Sequence, residues 1–470
     1  MLFSSISFIF LFFPISMLLY YLVPQRYRNL ALLLESLVFY AWGEPVYVVL
    51  LLLSAGFNYY CGQDIEEKSE HPGKARNSLL FAITGNVVLL VLFKYYGFLM
   101  ESLNLMLPES ISYRELTMPI GISIYTLRAI SYLIDVYRQQ GKAQRRFVDF
   151  GMYLSLFPLM LTGPVERYVD LEPQLRNRTL SPQRFGNGMM LFICGLAKKV
   201  ILADSIGLLQ EEITQLPIGT FSVLTAWMGA LAFAFRFYFE LSGFADMAMG
   251  LGRAMGFDFH RNFNYPYIAK NVTEFSRRWN ATVGAWFREY VFKTLDGRER
   301  ESFGPVWSVV LSGVLMGFWY GASFRFFWWG ILGCFFVMME KFLWGNALKR
   351  LPSVVQHIYT MVIVLIGWVF FFTPDVATAV DYIGVMFGLS ARGLIDSQAL
   401  YFIGTHWLLL VVCIVGSCTK GLELLHTVQS FPRSTNGKNV MVSVVYVVLF
   451  LVSLAFLVAG MPEVGLIIQF

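Results

Sequence analysis

Ionisable side chains set inside apolar sequence are the first candidates for chemistry in this chain, and they gather in three places. The segment Arg236-Phe-Tyr-Phe-Glu240-Leu-Ser-Gly-Phe-Ala-Asp246 puts Arg236 and Glu240 four residues apart, close enough to pair on one helical face, with Asp246 beyond them. A second run leads from Pro119-Ile-Gly-Ile-Ser123 through Asp135 to Arg138, with Arg128 in its middle. The third, residues 260–300, carries nine Lys/Arg and five Asp/Glu when counted from Arg253. A charge at membrane depth costs about 2.5–3.5 kcal/mol on insertion scales, so each needs a partner or a water-lined cavity. Arg236 and Glu240 therefore read either as a neutral pair that fixes helix packing or as the lining of a cavity.

Within the third region, aromatic residues fall at Phe275, Trp279, Trp286, Phe287 and Tyr290, a spacing that resembles an amphipathic helix. Arg277, Arg278 and Arg288 are then available to headgroups or phosphates. One reading is an interfacial helix held by Trp and Arg anchors. The other is a half-buried helix forming the floor of a site for a charged donor. Physics alone favours the interfacial helix.

Metal and thiol chemistry find little support. The five cysteines, Cys61, Cys194, Cys334, Cys413 and Cys418, show no Cys-x-x-Cys spacing, so neither a disulfide framework nor a zinc site is indicated. The five histidines are His71, His260, His357, His406 and His426, and His260 alone lies in the motif-rich region. A lone histidine there is more often a loop or cap residue than a base.

The elements that must position these groups are membrane helices. Of 470 residues 57% are hydrophobic and 14% charged, and the mean hydropathy is +0.59. A soluble globular enzyme is excluded, because average soluble chains are about half apolar and about a quarter charged. At ~20 apolar residues per span, the composition supports about 10–12 helices. The net charge of +5 is too small and too local for a nucleic-acid binder.

Met1 to Tyr21 reads as a first membrane anchor, without the basic start and cleavage site of a signal peptide. Arg26 and Arg28 just beyond it favour a cytoplasmic first loop. Further apolar runs lie near 30–60, 79–93, 118–136, 148–164, 187–203, 218–240, 305–343, 354–372, 399–418 and 439–460. Breaks at Gly43-Glu44-Pro45 and around Gly321 divide two of these runs. Gly313, Gly317 and Gly321 recur every four residues, which lets two membrane helices approach closely beside Tyr320. No repeat or low-complexity tract is present, and the sequence reads as one membrane domain over 1–470.

A series of short motifs runs through the chain in order. It comprises Met1-Leu-Phe-Ser-Ser5, Phe39-Tyr-Ala-Trp42, Pro119-Ile-Gly-Ile-Ser123, Ser131-Tyr-Leu-Ile-Asp-Val-Tyr137 and Phe157-Pro158 with Gly163-Pro164. Gly195-Leu-Ala-Lys-Lys199 with Ala203-Asp204, the stretch Tyr238 to Gly250, Asn262-Phe-Asn-Tyr-Pro-Tyr267, Trp319-Tyr-Gly-Ala-Ser323 and Gly367-Trp-Val-Phe-Phe371 complete it. Each is weak alone; their shared order is specific. Over essentially its whole length the chain resembles the membrane-bound O-acyltransferases. The branch is the bacterial one that includes the alginate O-acetylation and teichoic-acid D-alanylation membrane proteins.

The resemblance implies an all-α polytopic protein of the cell membrane, its helices tilted around a central tunnel. An acyl donor, either an acyl thioester or an acyl carrier protein, would arrive from the cytoplasm. The acceptor would be a hydroxyl of an exported polysaccharide or cell-wall polymer on the outer side, with membrane lipid around the protein. A periplasmic or extracellular accessory protein is a further implied partner, and no resident cofactor or metal is implied.

Two family histidines mark that tunnel, one after an Arg-Trp pair and one in Trp-His-Gly-Ala. Here the first position reads Arg278-Trp279-Asn280-Ala-Thr282 and the second Trp319-Tyr320-Gly-Ala322. Imidazole can take a hydroxyl proton near neutral pH. Asparagine cannot, and tyrosine has a reference pKa of about 10. The resemblance thus marks Asn280 and Tyr320 as the reaction centre, with Arg236, Glu240, Asp246, Arg277, Arg278, Trp279 and Trp319 around it.

Three functions follow as expectations. One is acyl transfer, promoted by orientation and electrostatic stabilisation rather than by a base. A second is a catalytically inactive homologue that passes an acyl carrier, lipid or glycan to a partner. The third, a transporter or channel, is disfavoured because nothing suggests two inverted halves.

Overall fold

Apolar sequence in lipid satisfies its backbone N–H and C=O groups only in helices or closed barrels, and this chain takes the first route. A computed structural model describes residues 1–114, 116–161, 163–293, 306–418 and 436–459, and among them there are helices and turns and no strand. His426 lies outside the described residues, as does the polar stretch 294–305. Four helices are long and apolar enough to cross a membrane by length and composition: Pro72–Asn104, Phe324–Arg350, Ser353–Phe372 and Ser397–Ser417. Shorter apolar helices cover Phe8–Leu22, Phe147–Leu159, Val309–Tyr320, Val376–Met386 and Val442–Val458. Val376–Met386 falls outside the apolar runs read from the sequence, being too short to dominate a hydropathy window.

Both expected breaks occur. One helix ends at Gly43 and the next begins at Tyr47. Another ends at Tyr320, and its successor begins at Phe324. The residues from Arg236 to Asp246 lie within one continuous helix, Val223–Ala254, so Arg236 and Glu240 share a helix as their spacing expects. One expectation is corrected. The stretch 274–290 is not one amphipathic helix. Val272–Arg278 ends at Trp279, and a new helix starts at Ala281, because Asn280 adopts φ 44° and ψ 52° in the left-handed region.

The chain packs as two compact units, the first being Met1–Phe192 with Met247–His260 and the second Ile193–Asp246 with Arg261–Phe470. In the first, Phe8, Phe12, Phe39 and Phe157 form an aromatic core, with the Phe12 and Phe157 rings edge-on at 5.3 Å. Helices Tyr47–Glu67 and Pro72–Leu90 are joined by a buried amide pair, Asn86 donating to Asn58 Oδ1 at 2.7 Å.

The second unit is built on a larger aromatic core that includes Phe237, Phe275, Trp279, Tyr320, Trp368 and Phe371. The glycine stripe seats helix Val306–Tyr320 against Phe324–Met339, as its spacing predicts. A Cβ on Gly317 would lie 2.3 Å from the Phe326 carbonyl oxygen, and one on Gly330 would lie 2.3 Å from that of Gly313. The two backbones meet with no room for a side chain.

Candidate functional site

The helix that ends at Trp279 is fixed first at its start. Its unpaired N-terminal N–H groups meet the buried carboxylate of Glu340, which accepts from Val272 N at 2.6 Å and Thr273 N at 2.9 Å. Asn271 caps the same turn by accepting from Glu274 N at 2.7 Å. An anion at a helix N-terminus answers both the orphan donors and the helix dipole. Arg278 closes the other end, pairing with Glu274 at 2.8 Å and donating to Asn264 O at 2.9 Å.

The left-handed turn at Asn280 is held by Asn262. The Asn262 carbonyl accepts from Ala281 N at 2.7 Å, and its side-chain Oδ1 accepts from the Thr282 hydroxyl at 2.8 Å. Asparagine tolerates this backbone region better than most residues. The turn aims the Asn280 side chain inward, where it is 8% exposed.

There it meets Tyr320, which is 5% exposed at the end of its helix. Asn280 Nδ2 donates to the Tyr320 hydroxyl at 3.3 Å, and Trp279 Nε1 donates to the same oxygen at 2.9 Å. The two positions marked by the resemblance therefore touch, with Trp279 as the third member. Asn280 Oδ1 is buried and has no hydrogen-bond partner. Rings wall the group: Trp279 lies 4.7 Å from Trp368, and Tyr320 lies edge-on to Trp329 at 5.2 Å and to Phe371 at 5.3 Å. Trp319 packs half-buried against the same core.

The charged candidates separate. Arg236 is buried and pairs with Glu211 of helix Asp204–Thr214 at 3.1 Å. It also donates to Gln210 of that helix. The Glu211 carboxylate thus reaches Arg236 from a neighbouring helix, and Glu240 is buried one turn along Arg236's own helix. Asp246 pairs with Lys198 at 2.5 Å, both largely enclosed. Arg277 and Arg288 are exposed.

Three of the described histidines have partners of their own. His260 belongs to the first unit, where its Nδ1 lies 2.8 Å from Glu166 and its backbone N donates to the same carboxylate at 2.6 Å. The hydrogen bond to Glu166 raises the His260 pKa above the ordinary value, against the opposing effect of burial. His357 lies 3.3 Å from Ala269 O and His406 2.8 Å from its neighbour Thr405.

Sequence reading missed Asn262, Glu340, Glu211 and Trp368 as parts of the site's frame. Asn262 and Trp368 lie inside quoted motifs, but no spacing ties them to Asn280. Glu340 and Glu211 sit at separations that only packing closes.

The chain is similar to known proteins over most of its length. The family model described as MBOAT, membrane-bound O-acyltransferase family, matches residues 143–374, which contain Trp279, Asn280 and Tyr320. A probable alginate O-acetylase of Pseudomonas putida is 34% identical, over 93% of this chain and 90% of its own. A peptidoglycan O-acetyltransferase of Helicobacter pylori is 30% identical, over 84% and 81% respectively. A teichoic acid D-alanyltransferase of Bacillus subtilis is 25% identical over 50% of this chain and 62% of its own.

Proposed function

The chain belongs to the membrane-bound O-acyltransferase family, and on that premise we propose that it is an acyltransferase of the polysaccharide O-acetylation type. It transfers an acyl group, acetyl being the expected one, to a hydroxyl of an exported polysaccharide or cell-wall polymer. The donor is an acyl thioester or acyl carrier on the cytoplasmic side. The observation that carries this reading is the contact of Asn280 with Tyr320 within the aromatic core of the second unit.

The chemistry runs without imidazole. The Tyr320 oxygen accepts two N–H bonds, from Trp279 and Asn280, so its own O–H is left to donate. A hydroxyl that accepts bonds is polarised into a better donor. Tyr320 offers that proton as a hydrogen bond to the acyl carbonyl oxygen, where negative charge develops. The unpartnered Asn280 Oδ1 accepts from the incoming hydroxyl and orients it. The hydroxyl oxygen bonds to the acyl carbon, the carbon–sulfur bond breaks, and the hydroxyl proton leaves with the thiolate as a thiol.

A second reading, an inactive homologue that holds or passes an acyl carrier, lipid or glycan, is favoured by one observation. Neither Asn280 nor Tyr320 is a base at neutral pH. The two readings part on one experiment. The full-length protein in nanodiscs is given a radiolabelled acetyl thioester and an acidic exopolysaccharide. Label appearing in polysaccharide as a base-labile ester supports transfer. Label that stays in the thioester, with the protein folded, overturns it in favour of the accessory role.

A further inference from the structure

The first unit holds an arrangement of charge that acyl transfer does not use. Helix Phe13–Leu22 ends just before Pro24, and helix Arg28–Gly43 begins at Arg28. Tyr20 is fully buried, and its hydroxyl donates to Met255 O at 2.7 Å. Two guanidinium groups face its ring, with the central carbons of Arg28 and Arg178 at 5.7 and 5.9 Å from the ring centre. Arg178 also lies over Phe257 at 4.4 Å, and its Nη2 donates to Asn29 Oδ1 at 2.6 Å.

Nearby carboxylates are engaged elsewhere. Asp149 accepts from Asn29 at 2.7 Å and pairs with Arg146 at 3.6 Å. Asp258 pairs with Arg184 at 2.7 Å, and Glu172 pairs with Arg176 at 2.5 Å. Among the described residues, neither Arg28 nor Arg178 has a carboxylate within ion-pair distance. Arg28 Nε and Arg178 Nη1 are buried and have no hydrogen-bond partner. Burial first, with a smaller effect of the Arg28 charge, lowers the Arg178 pKa from its ordinary value, against opposing effects of Tyr20 and Asp149.

Two like charges held against one ring repel, and an anion between them removes the repulsion. A guanidinium presents a fork of N–H donors that matches carboxylate and phosphate oxygens. Two forks with N–H groups to spare suit the anion with more acceptor oxygens. We propose that Arg28 and Arg178, set against Tyr20, form a binding site for a phosphate group.

The site lies beside the loop that the positive-inside rule assigns to the cytoplasm. Two sources of phosphate meet there, an anionic lipid headgroup and a soluble phosphate ester. Their shared chemistry is the same, and acyl transfer elsewhere in the chain is not needed for it.

The full-length protein in phosphatidylcholine nanodiscs is titrated with radiolabelled pyrophosphate by equilibrium dialysis. In a second arm its Tm is compared between phosphatidylcholine nanodiscs and ones that also contain phosphatidylglycerol. Saturable pyrophosphate binding assigns the soluble ester, and a phosphatidylglycerol-dependent rise in Tm assigns the headgroup. Hydrogen bonds to charged groups are worth enough that Arg28→Gln or Arg178→Gln weakens the response by about ten-fold or more. Arg26→Gln, at the exposed neighbour, leaves it in place. The proposal is overturned if the unaltered protein responds in neither arm, a result that needs no variant to fold. It is equally overturned if both glutamine variants respond as the parent does.

Discussion

Asn280 donates to the hydroxyl of Tyr320 across 3.3 Å, joining two residues forty positions apart, at the positions where the resemblance implies histidines. The contact lies in the described core of the second unit, and neither side chain can serve as a base near neutral pH. The chemistry has to come from hydrogen bonding or be restored by substitution.

Restoration is the first prediction. Asn280→His with Tyr320→His supplies imidazole at both positions on an otherwise intact frame. General base catalysis is worth ~10²–10⁴-fold, so acyl transfer by the double variant is expected to rise well above the parent. Labelled ester formed per minute is the readout. A folded double variant with no gain would show that the frame itself lacks competence.

Tyr320→Phe removes one oxygen and keeps the ring against Trp329 and Phe371. It leaves the N–H groups of Trp279 and Asn280 without their acceptor, and each unsatisfied buried donor costs about 1–3 kcal/mol. A fall in Tm is expected, together with a ten-fold or larger loss of acyl transfer, about 1.4 kcal/mol of transition-state stabilisation. Adding Trp279→Phe removes one stranded donor and should recover part of the stability but none of the activity. Recovery of both together would reduce Tyr320 to a packing residue.

The buried Arg236 is the third test. Its carboxylate partner Glu211 is 28% exposed, so the pair is not fully enclosed. Removing one partner of a buried pair costs about 3–5 kcal/mol, and this exposure places Glu211→Ala toward the lower end. Poor accumulation in the membrane is expected, partly rescued by adding Arg236→Met. Parental levels of the single variant in a fluorescence size-exclusion assay would remove the pair as a structural element.

His260 contributes to the pH dependence of the first unit. Its pKa is raised chiefly by the hydrogen bond to Glu166, with Asp170 adding and Arg167 opposing. A raised folded-state value stabilises fully below the unfolded pKa of about 6.5 and is lost as pH rises through the folded value. Tm should therefore fall between mildly acidic and mildly alkaline pH by an increment that His260→Gln abolishes. Identical Tm profiles for the two proteins would show that the histidine charge does not contribute.

Much of the architecture was legible in the sequence because burial in lipid writes itself directly into composition. Long apolar runs gave the spanning helices, and the breaks at Gly43-Glu44-Pro45 and Gly321 fell where polarity and glycine end a helix. The four-residue glycine spacing announced a close helix pair, since only glycine leaves room for a carbonyl at the positions of Gly313 and Gly317. The order of the motifs identified the family, and the resemblance pointed to Asn280 and Tyr320.

Only the tertiary structure decided what those residues do to one another. Helical periodicity carried on through Trp279, whereas the bonds from Ala281 and Thr282 to Asn262 hold Asn280 in a left-handed turn that ends the helix. Periodicity placed Glu240 one turn from Arg236 but could not show the carboxylate of Glu211, brought in by another helix. Spacing along one helix records which residues share a face, but not which face of a second helix arrives opposite. That second fact is long-range packing, and on it depend the contact between Asn280 and Tyr320 and the pairing of two arginines with Tyr20.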